Sequence, residues 1–388
     1  MMMRTSACGA AIALLATVSP LLHAQDAPFF FSAPSAKVPS AKVTKNVEYG
    51  RADTTSLRMD VYRPTNAKPG APLLIFFNSA VGPQRANAFY AGWAKAAASK
   101  GIVAILPDLH GDQAERDFQL LVDHLYSNAK TYGADREAIA VYAGSGNVFT
   151  ALPIIESPKQ TKVKAAAIYY GTGPVNDFRR DLPILFVRAG LDRAAMNGSA
   201  TSGMTALVAS AIAQNAPVTV INNPGGHHAF EMIDDDDATR DVIDRTLAFV
   251  KRATSASYQA ALRRTLPEAT AAGDIIAGNY RSAAAAYAGL VNMRPDDTRL
   301  RLSFGEALLG DKQYDAACSQ FERLKGKGLG PRDLGLPAAR ACMLKGDSSA
   351  AIAWLQTIPK RFLPSSIQQD SIFAGLRDRA DFRALFQP

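Results

Sequence analysis

Cysteine is scarce in this chain of 388 residues: Cys8, Cys318 and Cys342 are all it has. So few thiols exclude a small scaffold held by many disulfides, and they exclude a cysteine-based metal site. Histidine numbers five, with no HExxH-like spacing, so no metal centre is expected. The chain carries a net charge of +8, yet it lacks a dense Lys/Arg stripe with interleaved aromatics. Nucleic acid is therefore not an expected partner. Beyond the N-terminus there is no apolar run long enough to cross a bilayer, so no membrane span is expected. What remains is an ordinary globular balance, 48% hydrophobic and 20% charged, in a chain long enough for two domains.

The first residues read as an address. Arg4 gives a positive start, residues 10–18 are apolar, and Pro20 and the small Ala24 follow. This is the pattern of a secretory signal peptide spanning residues 1–24, cut near Ala24. The expected destination is outside the cell or the periplasm, and Cys8 leaves with the signal. Residues 25–46 are rich in Pro, Ser, Ala and Lys, and "SAKVPSAKV" repeats itself, which predicts a flexible leader.

From Val47 to Thr254 strand-like and helix-like segments alternate. "LRMDVYRP" (57–64) alternates as a half-exposed strand does, and "PLLIFF" (72–77) is apolar throughout, as a central strand should be. A helix is predicted over 86–100. Strand-like runs follow at 101–108, 138–144, 164–171, 182–190 and 218–223, with helices near 114–130 and 238–252. Such alternation predicts a doubly wound, mostly parallel sheet covered on both faces, with ligands at the carboxyl ends of its strands.

After residue 255 the sequence turns alanine-rich and helical. Tyr280, Tyr314 and Ser348 share a register of 34 residues, as do Ala283, Ala317 and Ala351. Tyr287, Phe321 and Leu355 keep the same step, and so do Leu290, Leu324 and Ile358. This period resembles tetratricopeptide repeats, in which small residues let helices approach and large ones fill the groove. Residues 255–388 are accordingly expected to form an all-α repeat domain with a surface for a protein or peptide partner. A generic alanine-rich bundle is the plainer alternative. Cys318 and Cys342 are expected to be buried thiols, since cysteine serves as a small core residue; both could lie near the contact between consecutive repeats, and a disulfide is the alternative.

The chemistry-bearing signal is "VYAGSGN" (141–147). A buried strand ends in Gly144-Ser145-Gly146, and helix-forming residues follow, the arrangement that lifts a serine hydroxyl clear of a sheet. Ala143 and Asn147 replace the usual outer glycines, and Asn is expected to tolerate a left-handed backbone there. Alone, a Gly-Ser-Gly triplet marks only a turn. A serine also needs a base, and the base an orienting acid. Asp192 follows the run "LPILFVRAG", where helix capping is its plain alternative, and His227 and His228 follow the next run in "NPGGHHAFEM". Serine, acid and histidine thus succeed one another after strand ends in the order Ser, Asp, His. The acids 234–237 beside them suit the start of a helix better than a metal. His110 and His124 are expected to be surface or structural residues.

Together "DVYRP", "AGSGN", "AGLD" and "GGHHAF" resemble the dienelactone hydrolase-like branch of the α/β-hydrolase superfamily, over residues 47–254. The resemblance implies Ser145 as nucleophile, Asp192 as orienting acid and His228, which stands before Ala229-Phe230, as base. Dienelactone hydrolases proper use a cysteine nucleophile, so Ser145 points to ordinary esters as small-molecule substrates. The oxyanion donors it implies are the N–H of Gly146 and that of Ser79 or Ala80, where the superfamily often has His-Gly. No cofactor is implied. A peptidase on the same core and an inactive scaffold read through its repeats are the competing expectations.

Overall fold

A computed structural model describes residues 41–66, 69–79, 84–192 and 199–387. Its centre is an eight-stranded sheet in the order β1-β2-β4-β3-β5-β6-β7-β8. The strands are β1 (Lys42–Ala52), β2 (Thr55–Arg63), β3 (Ala71–Phe76), β4 (Val103–Pro107), β5 (Ala134–Gly144), β6 (Val163–Tyr169), β7 (Ile184–Ala189) and β8 (Val218–Asn223). β1 and β2 pair antiparallel, as do β2 and β4, and from β4 across to β8 every pairing is parallel.

The central strands are apolar on both sides because both faces are covered. Leu73, Ile75 and Phe77 pack into one layer of core, while Leu74 and Phe76 pack into the other. That split is the two-residue period of a strand made visible. Helices α2 (Ala114–Asn128), α3 (Asn147–Glu156) and α4 (Ser199–Ala213) cover the first face. Helices α1 (Ala88–Ser99) and α6 (Asp237–Ala253) cover the second, with the single turn α5 (Phe230–Ile233) between β8 and α6.

Local chemistry explains the helix ends. The Asn87 side chain accepts from the Phe89 N–H at 2.9 Å and starts α1, which then buries Phe89, Tyr90 and Trp93. Asp236 accepts from the Thr239 N–H at 2.7 Å and starts α6, while Lys251 and Arg252 sit in its last turn. Both placements favour the helix dipole.

One boundary differs from expectation. The composition predicts a leader reaching Asn46, but β1 begins at Lys42, with Lys42 facing Arg63 and Val43 facing Tyr62. An exposed edge strand needs no apolar face, so its polar sequence hides it.

Beyond α6 the chain is helical: α7 (Ala256–Ile276), α8 (Tyr280–Met293), α9 (Thr298–Gly310), α10 (Tyr314–Glu322), α11 (Pro331–Lys345), α12 (Ser348–Thr357) and the short α13 (Ala380–Ala384). α8, α10 and α12 begin at Tyr280, Tyr314 and Ser348. Ala283, Ala317 and Ala351 are fully buried in one cluster, together with Tyr287, Phe321 and Leu355. Cys318 and Cys342 are not free thiols: they form a disulfide joining α10 to α11. Both face the same buried seam between neighbouring helices, so the alternative of a disulfide holds over that of buried thiols.

Candidate active site

β5 delivers Ser145. The strand ends at Gly144, Ser145 turns with φ 57°, and Gly146 has already taken up helical angles at the head of α3. A left-handed backbone at a residue with a Cβ costs about 1–2 kcal/mol. It is held here by two backbone bonds: the Ser145 N–H donates to the Tyr169 carbonyl, and the Val148 N–H to that of Ser145, both at 3.0 Å. The turn is also crowded, because a Cβ on Gly171 would lie 2.5 Å from the Ser145 carbonyl oxygen. The strained position is Ser145 itself. Asn147, expected to absorb left-handed geometry, is instead the first residue of α3, and its side-chain amide donates to the Tyr90 hydroxyl at 3.2 Å and the Gly144 carbonyl at 3.3 Å.

The acid and the histidine come from neighbouring loops that are knitted together. The Gly190 N–H donates to the Asn223 carbonyl at 2.7 Å and the Leu191 N–H to that of Gly226 at 2.9 Å. This places Asp192, just past β7, under His228, just past β8. Both Asp192 carboxylate oxygens lie 3.0 Å from His228 Nδ1. Ser145 Oγ lies 2.7 Å from His228 Nε2. A carboxylate only accepts, so Nδ1 carries the proton and Nε2 is left as an acceptor for the serine hydroxyl. Asp192 is buried, and about a third of the His228 side chain meets solvent. Ser145, Asp192 and His228 are therefore brought into one relay.

The other histidines stand apart. His227 Nδ1 pairs with Asp234 at 2.8 Å on the exposed side of the loop. His110 pairs with Asp117 at 2.8 Å, and His124 Nε2 lies 2.7 Å from the Tyr132 hydroxyl. The acids 234–237 are engaged locally: Asp234 with His227, Asp235 and Asp237 with Arg240, and Asp236 as the cap of α6.

Gly146 stands at the head of α3, where N–H groups precede the helix's own ladder. Ser79 is buried on the loop after β3, beside β5, and its carbonyl lies against Gly111. Ala80 lies outside the described residues. Asn78 is buried next to Ser79, and among the described residues neither side chain has a hydrogen-bond partner. A cleft of about 360 Å³ lies beside α3, lined by Gly111, Phe149, Pro153 and Pro174 among others. Phe149, one turn after Ser145, is 63% exposed.

Sequence reading missed a buried cluster behind the histidine. Glu231 is fully enclosed, and its Oε1 accepts from the Tyr142 hydroxyl at 2.6 Å and the Tyr170 hydroxyl at 2.8 Å. Burial raises its pKa to about 7, and the Tyr142 bond partly opposes that rise. The one signal in the sequence was an acid inside the apolar run "AFEMI".

A mostly parallel sheet in this strand order, with a strained serine after its fifth strand and an acid and histidine after the last two, defines the α/β-hydrolase fold. No protein-family model matches the chain, and no curated protein sequence matches it. Solved structures with similar backbones include an esterase of Pyrobaculum calidifontis (TM-score 0.46, 14% identity, covering 56% of this chain and 86% of that one). A bacterial heroin esterase gives 0.44 and 12%, covering 56% and 85%. An α/β-hydrolase enzyme from the metagenome of Lake Arreo, Spain, gives 0.46 and 16%, covering 55% and 82%.

Proposed function

We propose that this chain is an exported serine hydrolase of small carboxylic esters, of the dienelactone hydrolase-like branch, with tetratricopeptide-like helices that engage a protein or peptide. One observation carries the catalytic reading: Ser145 Oγ, His228 and Asp192 form a continuous relay at 2.7 and 3.0 Å. Ser145 attacks the ester carbonyl while His228 Nε2 takes its proton. Asp192 holds the imidazole in the tautomer that can accept it and stabilises the imidazolium. The tetrahedral oxyanion forms against the Gly146 N–H and that of Ser79 or Ala80, each such donor being worth about 10²–10³ in rate. His228 then returns the proton to the leaving alcohol, and water, activated by the same histidine, releases the acid from the acyl-enzyme.

The test is covalent labelling by a fluorophosphonate, with p-nitrophenyl acetate as substrate. Ser145 is expected to take the label, and Ser145→Ala to cut turnover by about 10⁴-fold or more with an unchanged circular dichroism spectrum. Failure of the folded wild-type chain to label or turn over would leave the scaffold reading in its place.

A further inference from the structure

Hydrogen bonds at Nδ1 and Nε2 hold two corners of the His228 imidazole, and the Cβ–Cγ bond tethers a third. The ring can still swing about Cα–Cβ and Cβ–Cγ, and a swung ring aims its Nε2 lone pair away from the serine proton. Something packed against the ring must limit that swing.

Tyr170 does. Its ring centroid lies 4.9 Å from that of His228, with the planes tilted by 59°. Tyr170 is itself held at two points. Its N–H donates to the Val187 carbonyl at 2.8 Å, with a backbone φ of 30°, a value unusual for a residue bearing a side chain. Its hydroxyl donates to Glu231 Oε1, as does the hydroxyl of Tyr142 from β5, the strand that carries Ser145. Glu231 in turn lies three residues after His228, on the turn α5, entered through Ala229 with φ 57°. One carboxylate oxygen thus ties the nucleophile's strand, the residue facing the base and the base's own loop. Burying a carboxylate where an apolar side chain would fill the space is not a route to stability.

Resting on the esterase reading above, we propose that Glu231 is a positioning residue, acting through the Tyr170 hydroxyl to hold the plane of His228 against Ser145. Its contribution is to acceptance of the serine proton, so it appears in kcat and not in KM. The requirement is for a hydrogen-bond acceptor of the right length. Glutamine supplies one and leucine does not.

The experiment measures kcat and KM on p-nitrophenyl acetate for the full mature chain, per site titrated to completion with fluorophosphonate, with melting curves alongside. Glu231→Leu is expected to lower kcat by between about 10- and 100-fold at a KM within about twofold, the scale of a misplaced catalytic group. Glu231→Gln is expected to stay within about threefold of wild type. Tyr170→Phe keeps the ring and removes the hydroxyl, and it should reproduce most of the leucine effect. The double variant Tyr170→Phe/Glu231→Leu should be no worse than Glu231→Leu alone, whereas independent effects would multiply. A leucine variant that melts earlier but turns over normally per titrated site would overturn the proposal, as would multiplied effects in the double variant. Should Glu231→Leu not fold, Tyr170→Phe decides alone: an unchanged kcat rejects the coupling. An inactive, unlabelled wild type sinks the esterase reading itself, whereas an active wild type with an indifferent Tyr170→Phe sinks only the role of Glu231.

Discussion

Two histidines stand side by side in this loop, and they face opposite fates. His228 touches both Ser145 and Asp192, whereas His227 points outward and pairs with Asp234. Under the esterase reading His228→Ala is expected to cost about 10⁴-fold in kcat, while His227→Ala should stay within a few-fold, since an exposed pair contributes little. Steady-state rates on p-nitrophenyl acetate for the two variants check this, and the reverse ranking would move the base by one residue. The convergence of Ser145, Asp192 and His228 was legible in sequence because each follows a run of apolar strand residues, and the carboxyl ends of neighbouring parallel strands meet. Tyr142, Tyr170 and Glu231 were not. Tyrosines at strand ends read as core, and nothing local says that their hydroxyls meet on one oxygen. Asn147 was legible as a departure from the usual pattern but misread. Its side chain bonds across the turn, while the left-handed angle falls on the serine.

At the scale of the element, α3 carries the elbow at one end and a buried acid at the other. Glu156 closes the helix, accepts the Arg179 N–H at 2.7 Å, and has a pKa raised by burial to about 7 from an ordinary 4.5. The folded chain therefore holds a proton that the unfolded chain releases between pH 4.5 and 7. Stability must fall as pH rises through that window and level off above it. Glu156→Gln keeps the acceptor and removes the titration. Its melting temperature is expected to match wild type near pH 4.5 and to exceed it by roughly 8 °C at pH 8, the scale of about 3 kcal/mol in a domain of this size. A gap that does not grow across the window would mean that Glu156 is solvated in the folded chain. Among the elements, the inner strands were legible because a strand covered on both faces is apolar throughout. β1 was not, since at the sheet edge its residues face water. α4 also escaped notice, because its small and apolar residues carry little amphipathic pattern.

At the scale of the molecule, the question is how the helical region bears on the site. Every member of the relay precedes residue 254, so under the esterase reading the chemistry is expected to need nothing from the later helices. The 34-residue register was readable because like residues recur at like positions, but α7 precedes that register: it packs along α8 and buries Ala271 in the helical core, and it also reaches the other half of the chain. Gln259 Nε2 donates to the Lys164 carbonyl at 3.1 Å and the Ala253 carbonyl at 2.7 Å, joining α7 to β6 and to the end of α6. Asn215 Nδ2 donates to the Ala269 carbonyl at 2.9 Å, Asp274 lies 3.9 Å from Arg180, and Tyr258 packs against the core beneath α6. α7 is thus a cover for the hydrolase sheet as much as the first helix of the C-terminal array. A chain ending at Thr254 is expected to keep its kcat on p-nitrophenyl acetate, per titrated site, within about threefold. It should melt roughly 5 °C or more below the full chain, because these partners return to water and about 2 kcal/mol is lost. A chain ending at Ala277 keeps Gln259, Ala269 and Asp274 in place and should recover most of that loss. Equal melting for the two truncations would show that α7 stabilises nothing. A folded Thr254 truncation without turnover would mean that the helices shape the site, and the separation of chemistry from cover would fall.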